Sequence, residues 1–547
     1  MTEQGGLSTE ARRVSRAAIL MSIGNVASRA LGLVREMTKS YYFGAGGAVS
    51  AFDVATQVPT MLHDQLVGGM LSSSLVPVFS GYARSEDREE LWRVFSQVFT
   101  IISLLLASLV IFLELAAPWV ARVLGRGLAP EYLDLATSMI RITSPAVFLL
   151  NVAGLFSAVL YAMQRFRLPA FTSAVYNATM VAVIILYGRS PLGTKSLAVG
   201  LLVATLAQAA FQIPGLRGMR TQGRRELPFR LKTLFPLHPA LLQMGQLYLP
   251  IGAGLLVDQA AVALSFNLAS RTGPSGIAWM KYAATLIQFP LGLVVTAVSV
   301  AILPTLSRYA ANEDETSFRA TLAQGLRLVL ILVLPAAVGL LVMAEPLVAV
   351  ALQRGEFMRV DTLATAQVLR FSILGLVFAA LDQPLIFAFY ARKDTWTPAL
   401  VGVGTVIFYV IIALLPLRFH EPRLWELILA NSLKLMAHAL LMLLLFTRKV
   451  GNLGPYRVGH TTLIALGASL AMVIPMLGIL RSLEPLVPSG SLGYLMRIGA
   501  ATVSGALIYF ALMRLLGVEE IGLIRQALRR KVQLSPSSMA QIRSSQE

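Results

Sequence analysis

The chain has 547 residues, of which 56% are hydrophobic and only 14% are charged. Soluble domains carry about 25% charged residues, so this composition excludes a string of soluble domains and indicates a polytopic membrane protein. The net charge of +18 is attributed to basic cytoplasmic loops rather than to nucleic-acid binding, and the absence of cysteine excludes disulfides, thiolate metal sites and cysteine nucleophiles.

Predicted membrane spans follow one another along almost the whole chain. A spanning helix needs about 20 mostly apolar residues, and about fourteen segments contain such a run. They cover residues 15–39, 49–82, 94–121, 132–163, 169–187, 195–213, 239–269, 276–309, 322–350, 362–391, 396–416, 424–446, 459–480 and 491–516. We therefore predict an all-α membrane protein with about 14 transmembrane helices.

Basic segments divide these spans into lobes. The strongest is a run of six cations between spans six and seven, at Arg217, Arg220, Arg224, Arg225, Arg230 and Lys232. We predict an N-lobe over 1–216, a basic cytoplasmic linker over 217–237, a C-lobe over 238–447, and two further helices with a basic tail over 448–547. Because Lys and Arg concentrate in cytoplasmic loops, both termini are predicted to be cytoplasmic.

The two lobes repeat each other weakly. Residues 77–83, beginning at Pro77, resemble residues 304–310, beginning at Pro304, and Arg141 matches Arg370 at nearly the same offset. Six spans separate the copies, so both have the same orientation, and parallel repeats of this kind are typical of transporters. No G-x-S-x-G, HExxH or Walker A motif is present, so we expect a transporter that is not an enzyme and does not use ATP.

The candidate site begins with two arginines, Arg29 and Arg35, inside the first apolar span. Charges inside a span usually face a bundle interior or a water-filled cavity, and arginine suits phosphate because its planar fork donates to two oxygens. Six residues leave the two side chains about 120° apart on a helix. The alternatives for Arg35 are snorkelling to the interface or pairing with Glu36.

The second span adds Asp53, His63 and Asp64, and the eighth adds Lys281. Asp53 and Asp64 are about three helical turns apart and are predicted to share a face. Either they pair internally with Arg29 or Arg35, or they contact substrate or handle protons. Lys281 either lies near the outer headgroups or faces the cavity from the second repeat.

Two further sets of residues complete the predicted site. Asp258, near the middle of the seventh span, is either a cation-coupling carboxylate or a polar packing residue. Gly44, Gly46, Pro59 and Pro290 interrupt the helical pattern and are predicted to act as hinges.

These motifs resemble the MurJ/MviN family of lipid II flippases in the MOP exporter superfamily. The resemblance rests on Ser28-Arg29-x-Leu31-Gly32-x-x-Arg35, Phe43-Gly44-Ala45-Gly46, Trp279-Met280-x-Tyr282-Ala283 and Asp394-Thr395-x-Thr397-Pro398. It implies two six-helix lobes forming a V around a cationic cavity, alternating access, and two last helices that form a groove for the polyprenyl tail. The implied substrate is undecaprenyl-diphosphate-linked muropeptide, moved from the cytoplasmic to the outer leaflet of the bacterial cytoplasmic membrane.

The chain departs from the family pattern at several cavity positions. Ser50 stands where the family has an aspartate, His63-Asp64 where it has an arginine pair, and Thr285 where it has an arginine. Some members bind sodium between the seventh and eleventh helices. Here the seventh helix offers Asp258 and the eleventh carries no carboxylate, so no cofactor other than a sodium ion is expected.

Three functions follow from this sequence. The first is lipid II flipping, with the lipid-linked muropeptide, membrane lipids and envelope-synthesis enzymes as partners and no nucleic acid. The second is transport of a different polyprenyl-linked glycolipid, or drug/ion antiport. The third is a non-transporting membrane scaffold, for which the charges at Arg29 and Arg35 would be dispensable.

Overall fold

The computed structural model describes residues 2–70, 74–83, 88–216, 236–292, 296–487, 490–518, 520 and 522. Most of the predicted basic linker, including Arg217 to Lys232, lies outside these ranges, as does the basic tail around Arg529. Within them, the secondary structure is helical and contains no strand.

Eighteen α-helices follow one another in the described part of the chain. They are α1 (Thr2–Phe43), α2 (Gly47–His63), α3 (Val76–Ala83), α4 (Arg88–Leu124), α5 (Pro130–Ala162), α6 (Arg167–Tyr187), α7 (Lys195–Leu216), α8 (Pro239–Ser270), α9 (Gly276–Pro290), α10 (Thr296–Ala311), α11 (Glu315–Val342), α12 (Ala344–Leu352), α13 (Arg359–Ala391), α14 (Trp396–Leu414), α15 (Leu424–Lys449), α16 (Val458–Ala471), α17 (Val473–Ser482) and α18 (Ser491–Leu515).

Among the described residues, 11 helical segments are long and apolar enough to cross a membrane. They lie in α4 to α8, α11, α13 to α15, α16 with α17, and α18. The helices α1, α2 and α9 fall outside this set. In α1 the apolar pattern is interrupted by Arg29, Arg35, Glu36 and Lys39. The all-helical membrane fold is therefore confirmed, while the count of about 14 spans stays a prediction.

The chain packs as two compact units. Unit 1 comprises Met1–Phe289, Ala351–Leu369 and Ala399–Lys434. Its main core joins small and aliphatic side chains of α2, α4, α5, α7, α8, α14 and α15, with Val54, Met139 and Leu197 fully or almost fully buried. Unit 2 comprises Pro290–Val350, Arg370–Pro398 and Leu435–Glu547. Its core joins α11 to α16, α17 and α18 through residues such as Ile331, Met472 and Met513.

Prolines inside these helices leave carbonyl groups that other side chains satisfy. A helix-interior proline has no N–H, so the carbonyl four residues earlier loses its partner. Four such carbonyls accept from a side-chain donor: Ala55 O from Thr143 (for Pro59), Glu114 O from Arg141 (for Pro118), Arg141 O from Ser144 (for Pro145) and Ile331 O from Tyr509 (for Pro335). These prolines are thus built into helix packing.

The turn between α13 and α14 lies outside the membrane spans and is fixed by Asp394. Its carboxylate accepts from the backbone N–H of Thr397 at 3.0 Å and pairs with Lys449 Nζ at 2.8 Å. Burial opposes ionisation of Asp394, but the bonds from Lys449 and Thr397 outweigh it and lower its pKa to about 2. The side chain therefore remains an anionic cap for α14 at neutral pH.

Gly44 closes α1 and turns the chain into α2. Its φ of +64° is in the left-handed region, and its N–H donates to Ser40 O at 2.9 Å, as in a glycine helix cap. A Cβ at this position would lie 2.5 Å from Glu356 O. Gly46 differs, since its φ is −73° and a Cβ there would meet nothing within 4 Å.

We therefore expect Gly44→Ala to destabilise the protein and Gly46→Ala to leave it nearly unchanged. The left-handed conformation alone costs an alanine about 1–2 kcal/mol, and the clash with a backbone carbonyl adds to this. The measurement is the Tm of each purified variant at one heating rate. Equal Tm values for the two variants would show that the turn accepts a side chain and that this account of Gly44 is wrong.

Candidate functional site

Lys39 is the centre of a group of ionised side chains in unit 1. Its Nζ lies 2.8 Å from Glu36 Oε2 on the same helix and 3.1 Å from Asp53 Oδ1 on α2. The lysine side chain is only 4% exposed, and its Nζ lies 4.5 Å from the centre of the Tyr282 ring. A buried ammonium needs compensation of this kind, because an unpaired charge in a low-dielectric interior costs several kcal/mol.

Arg35 forms the accessible edge of this group. Its Nη2 lies 2.7 Å from Glu36 Oε1, and its Nη1 donates to Asn177 Oδ1 on α6 at 3.0 Å. The predicted alternative of pairing with Glu36 is therefore what the structure contains. The Arg35 side chain is 27% exposed, whereas that of Glu36 is 7% exposed. An approaching ligand would thus meet the guanidinium before the carboxylates behind it.

Lys281 of α9 is a third cation whose charge reaches Asp53. Its Nζ donates to Gln57 Oε1 of α2 at 3.2 Å and lies 5.6 Å from the centre of the Phe266 ring. We call Arg35, Glu36, Lys39, Asp53 and Lys281 the charge cluster. It contains three cationic and two anionic side chains, so its formal net charge is +1.

Asp53 occupies the interior of the charge cluster. It is only 2% exposed. One predicted alternative paired Asp53 with Arg29 or Arg35, whereas its ion-pair partner in the structure is Lys39. Its second oxygen, Oδ2, is buried without a hydrogen-bond partner among the described residues.

Arg29 lies six residues before Arg35, and its side chain makes different contacts. Its Nη1 donates to Gln288 O at 2.6 Å, in the last turn of α9. The final carbonyls of a helix lack intrahelical donors, so this contact caps α9 just before Pro290. The Arg29 Nε is buried with no hydrogen-bond partner among the described residues. A ligand would therefore meet the terminal nitrogens of Arg29 rather than its Nε.

His63 and Asp64 lie where α2 ends. The chain changes there from α-helix to a π-helical turn over Asp64–Gly68, one helical turn after Pro59. Asp64 is exposed and feels the charge of Lys281. His63 is half-buried beside Asn151 of α5. The charge of Lys281 thus acts on both Asp53 and Asp64, which were expected to share a face.

Asp258 is exposed on α8. It takes part in none of the charge-cluster contacts described above. The charged group that it influences is Lys434 of α15. Within the described ranges, no three His, Asp or Glu side chains are grouped closely enough to hold a metal ion.

Lys39 was not among the predicted site residues, although the signal for it was available. Lys39 follows Arg35 by four residues and Glu36 by three, which places all three on one face of α1. The pairing with Asp53 could not be read from spacing, because it depends on the angle that the Gly44 turn sets between α1 and α2. Ser50 was noted only as a missing aspartate. In the structure its Oγ donates to Pro274 O at 2.6 Å and accepts from Ala278 N, joining α2 to the start of α9.

Comparisons with known proteins give consistent matches to one family. The family model described as lipid II flippase MurJ matches residues 39–499. The probable lipid II flippase MurJ of Bdellovibrio bacteriovorus is 28% identical over 536 residues, 96% of this chain and 99% of that protein. That of Haemophilus influenzae is 29% identical over 408 residues, 72% of this chain and 79% of that protein.

Solved structures with similar folds belong to the same kinds of transporter. A lipid II flippase MurJ in an inward closed conformation superposes with a TM-score of 0.75 at 23% identity, covering 91% of this chain and 99% of that one. An inward-facing multidrug resistance MATE family transporter of the MOP superfamily superposes with a TM-score of 0.67 at 13% identity, covering 79% of this chain and 99% of that one. At these identities, the two structures are similar in fold.

Proposed function

Because the chain belongs to the lipid II flippase MurJ family, we propose that it carries lipid II on a cationic site whose accessible groups are Arg29 and Arg35. The proposal is supported by the difference in exposure between the charged side chains of α1 and α2. Arg35 is partly exposed, while Lys39 and Asp53 are buried behind it. A site of this kind presents positive charge to an anion and keeps its own carboxylates away from it.

The diphosphate of lipid II matches the donors that remain on the two arginines. A guanidinium has five N–H groups. Arg35 uses its Nε and both Nη atoms toward Glu36 and Asn177, and Arg29 uses one toward Gln288 O. Glu36 occupies the fork that Nε and Nη2 of Arg35 form, so the second N–H groups on the Nη nitrogens of the two arginines are the donors left for phosphate oxygens.

Family membership and the basic segments support a proposal for the membrane topology. We place the protein in the bacterial cytoplasmic membrane with both termini cytoplasmic, and we assign transport from the cytoplasmic to the outer leaflet by alternating access. The helices α16 to α18 pack on α11 through an apolar core, with Leu463, Ile474 and Leu507 on the outside. We assign the polyprenyl tail to this apolar outer surface.

Complementation tests this function directly. A bacterial strain depleted of its own lipid II flippase should grow when it expresses this chain. Failure to grow with normal amounts of the protein in the membrane would contradict the proposal and favour a different polyprenyl-linked glycolipid. A matched Arg122→Ala variant, which removes an exposed cation of unit 1, should rescue growth like the wild type.

Transport should depend on membrane potential rather than on a sodium gradient. The headgroup is anionic, so an inside-negative potential favours its outward movement by about 2.3 kcal/mol per charge per 100 mV. Proteoliposomes should therefore flip lipid II in sodium-free buffer and should slow when valinomycin and equal potassium collapse the potential. Asp258→Asn should behave as wild type. Activity that follows sodium and is lost in Asp258→Asn would overturn this proposal.

A further inference from the structure

A carboxylate without an ion-pair partner lies at the π-helical turn of unit 1. Asp64 is exposed at the start of this turn, and its side chain forms no hydrogen bond or ion pair with any residue within the described ranges. It is near the centre of the second predicted span, 49–82. A carboxylate at this depth is costly beside lipid, and such groups usually face a bundle interior or a water-filled cavity. Asp64 is therefore a candidate ligand-binding group.

Asp64 lies on the face of α2 that α9 contacts. It follows Gln57 by seven residues, which is close to two helical turns, so the two side chains share a face. Gln57 accepts a hydrogen bond from Lys281 of α9 at 3.2 Å, and the charge of Lys281 also acts on Asp64. Near the start of both helices, Ser50 accepts from the N–H of Ala278, so α2 and α9 run in the same direction.

Arg29 reaches the same level of the site from α1. Its Nη1 donates to Gln288 O at 2.6 Å, and Gln288 follows Lys281 by seven residues in α9. Seven residues of a helix rise about 10 Å, so Gln288 lies as far beyond Lys281 as Asp64 lies beyond Gln57. The guanidinium of Arg29 and the carboxylate of Asp64 are therefore at similar depths in unit 1.

These opposite charges form no ion pair with each other in the described part of the chain. Arg29 donates to a carbonyl, and the ammonium of Lys281 is held by Gln57, about two turns away from Asp64. An ionised carboxylate can only accept hydrogen bonds, whereas an ammonium has three donors and a positive charge. A ligand that satisfies both Arg29 and Asp64 therefore carries an anionic group and a cationic group.

We propose that Asp64 binds a primary ammonium of the cargo headgroup and selects lipids whose headgroup carries one. The diphosphate contacts Arg29 and Arg35 of α1 while the ammonium contacts Asp64, so the headgroup binds in one orientation. A neutral group in place of the ammonium leaves Asp64 unpaired, and an anionic group is repelled. This selection rests on the proposed function, because it takes a diphosphate-linked lipid as the cargo, whereas the access of water to Asp64 does not.

The first test compares three forms of lipid II in which one amine of the peptide is free, acetylated or succinylated, and therefore positive, neutral or negative. The purified wild type should bind the free amine about tenfold or more tightly than the acetylated form, the value of one charge-assisted contact, and the succinylated form most weakly. Asp64→Asn should bind all three forms about as well as the wild type binds the acetylated one. Asp64→Lys should reverse the order.

The matched control is Asp134→Asn, at an exposed carboxylate of α5, which should keep the order of the wild type. The same order in Asp64→Asn, or no order in the wild type, would overturn the selection. Binding of none of the three forms by the wild type would instead contradict the proposed function, and the next test then decides whether Asp64 lies in an accessible site.

The second test does not need lipid II. The chain contains no cysteine, so Asp64→Cys has a single thiol. In proteoliposomes, a water-soluble cationic methanethiosulfonate added to both sides should modify this thiol. Leu115→Cys, at a leucine of α4 that is 78% exposed within the third predicted span, should resist because it faces lipid. An unmodified Asp64→Cys would overturn the site even if lipid II binds, and a modified one would support it even if lipid II does not.

Discussion

Replacing Arg29 by alanine is expected to lower lipid II translocation by about 10- to 150-fold without lowering stability. A hydrogen bond to a charged group contributes about 1.5–3 kcal/mol, which corresponds to this range of rates. Arg29 contacts a carbonyl at the end of α9 and no carboxylate within the described residues, so its removal leaves no buried anion unpaired. The measurement is the initial flipping rate in proteoliposomes at a fixed potential, with Tm measured in parallel.

Two controls sharpen this test. Arg29→Lys should be only partly active, because an ammonium keeps the charge but loses the planar fork. Arg122→Ala should match the wild type. Normal flipping by Arg29→Ala would show that Arg29 is only a cap for α9, and it would remove half of the proposed site.

Replacing Lys39 by methionine is expected to destabilise the protein by about 3–5 kcal/mol. That is the usual cost of removing one partner of a buried ion pair. Here Asp53 would lose the ammonium group with which its carboxylate pairs in the structure. The measurement is Tm together with the amount of monodisperse protein recovered from membranes. Lys449→Met is the matched control, since Lys449 pairs with Asp394 at the surface and is 51% exposed; such pairs contribute about 0–1 kcal/mol.

The Lys39 variant should be rescued by a second change. In Lys39→Met with Asp53→Asn, the buried carboxylate becomes an amide and no longer requires a cation. Most of the lost stability should return, while Glu36 keeps Arg35 as its partner. If the double variant is no more stable than Lys39→Met, the lysine acts through packing against Tyr282 rather than through charge.

The fold could be predicted from sequence because apolar runs long enough to span a membrane leave few alternatives. The segments in α4, α5, α11 and α14 are almost uninterrupted, and each forms a helix close to its predicted position. The less regular parts were harder to predict. The second predicted span, 49–82, is divided into α2, a π-helical turn and α3, because Pro59 and the polar residues from His63 onward break a uniform helix.

The candidate site could be predicted only as a set of helices. Arg29 and Arg35 stood out because arginine is rare inside an apolar run. Asp53 was assigned the wrong partner, since its contact with Lys39 depends on the angle that the Gly44 turn sets between α1 and α2. Lys281 was expected either near the outer headgroups or in the cavity, and its contact with Gln57 of α2 could not be read from the sequence. Spacing along one helix cannot reveal contacts of this kind.

The most direct test of the central claim is the preference of the purified protein for a diphosphate headgroup. Binding of lipid II should be compared with binding of the same lipid carrying a monophosphate, in the wild type and in Arg29→Ala. The wild type should bind the diphosphate form about tenfold or more tightly, the value of one charge-assisted contact, and Arg29→Ala should lose most of this preference. An equal preference in both proteins would contradict the assignment of the diphosphate to the arginines of α1.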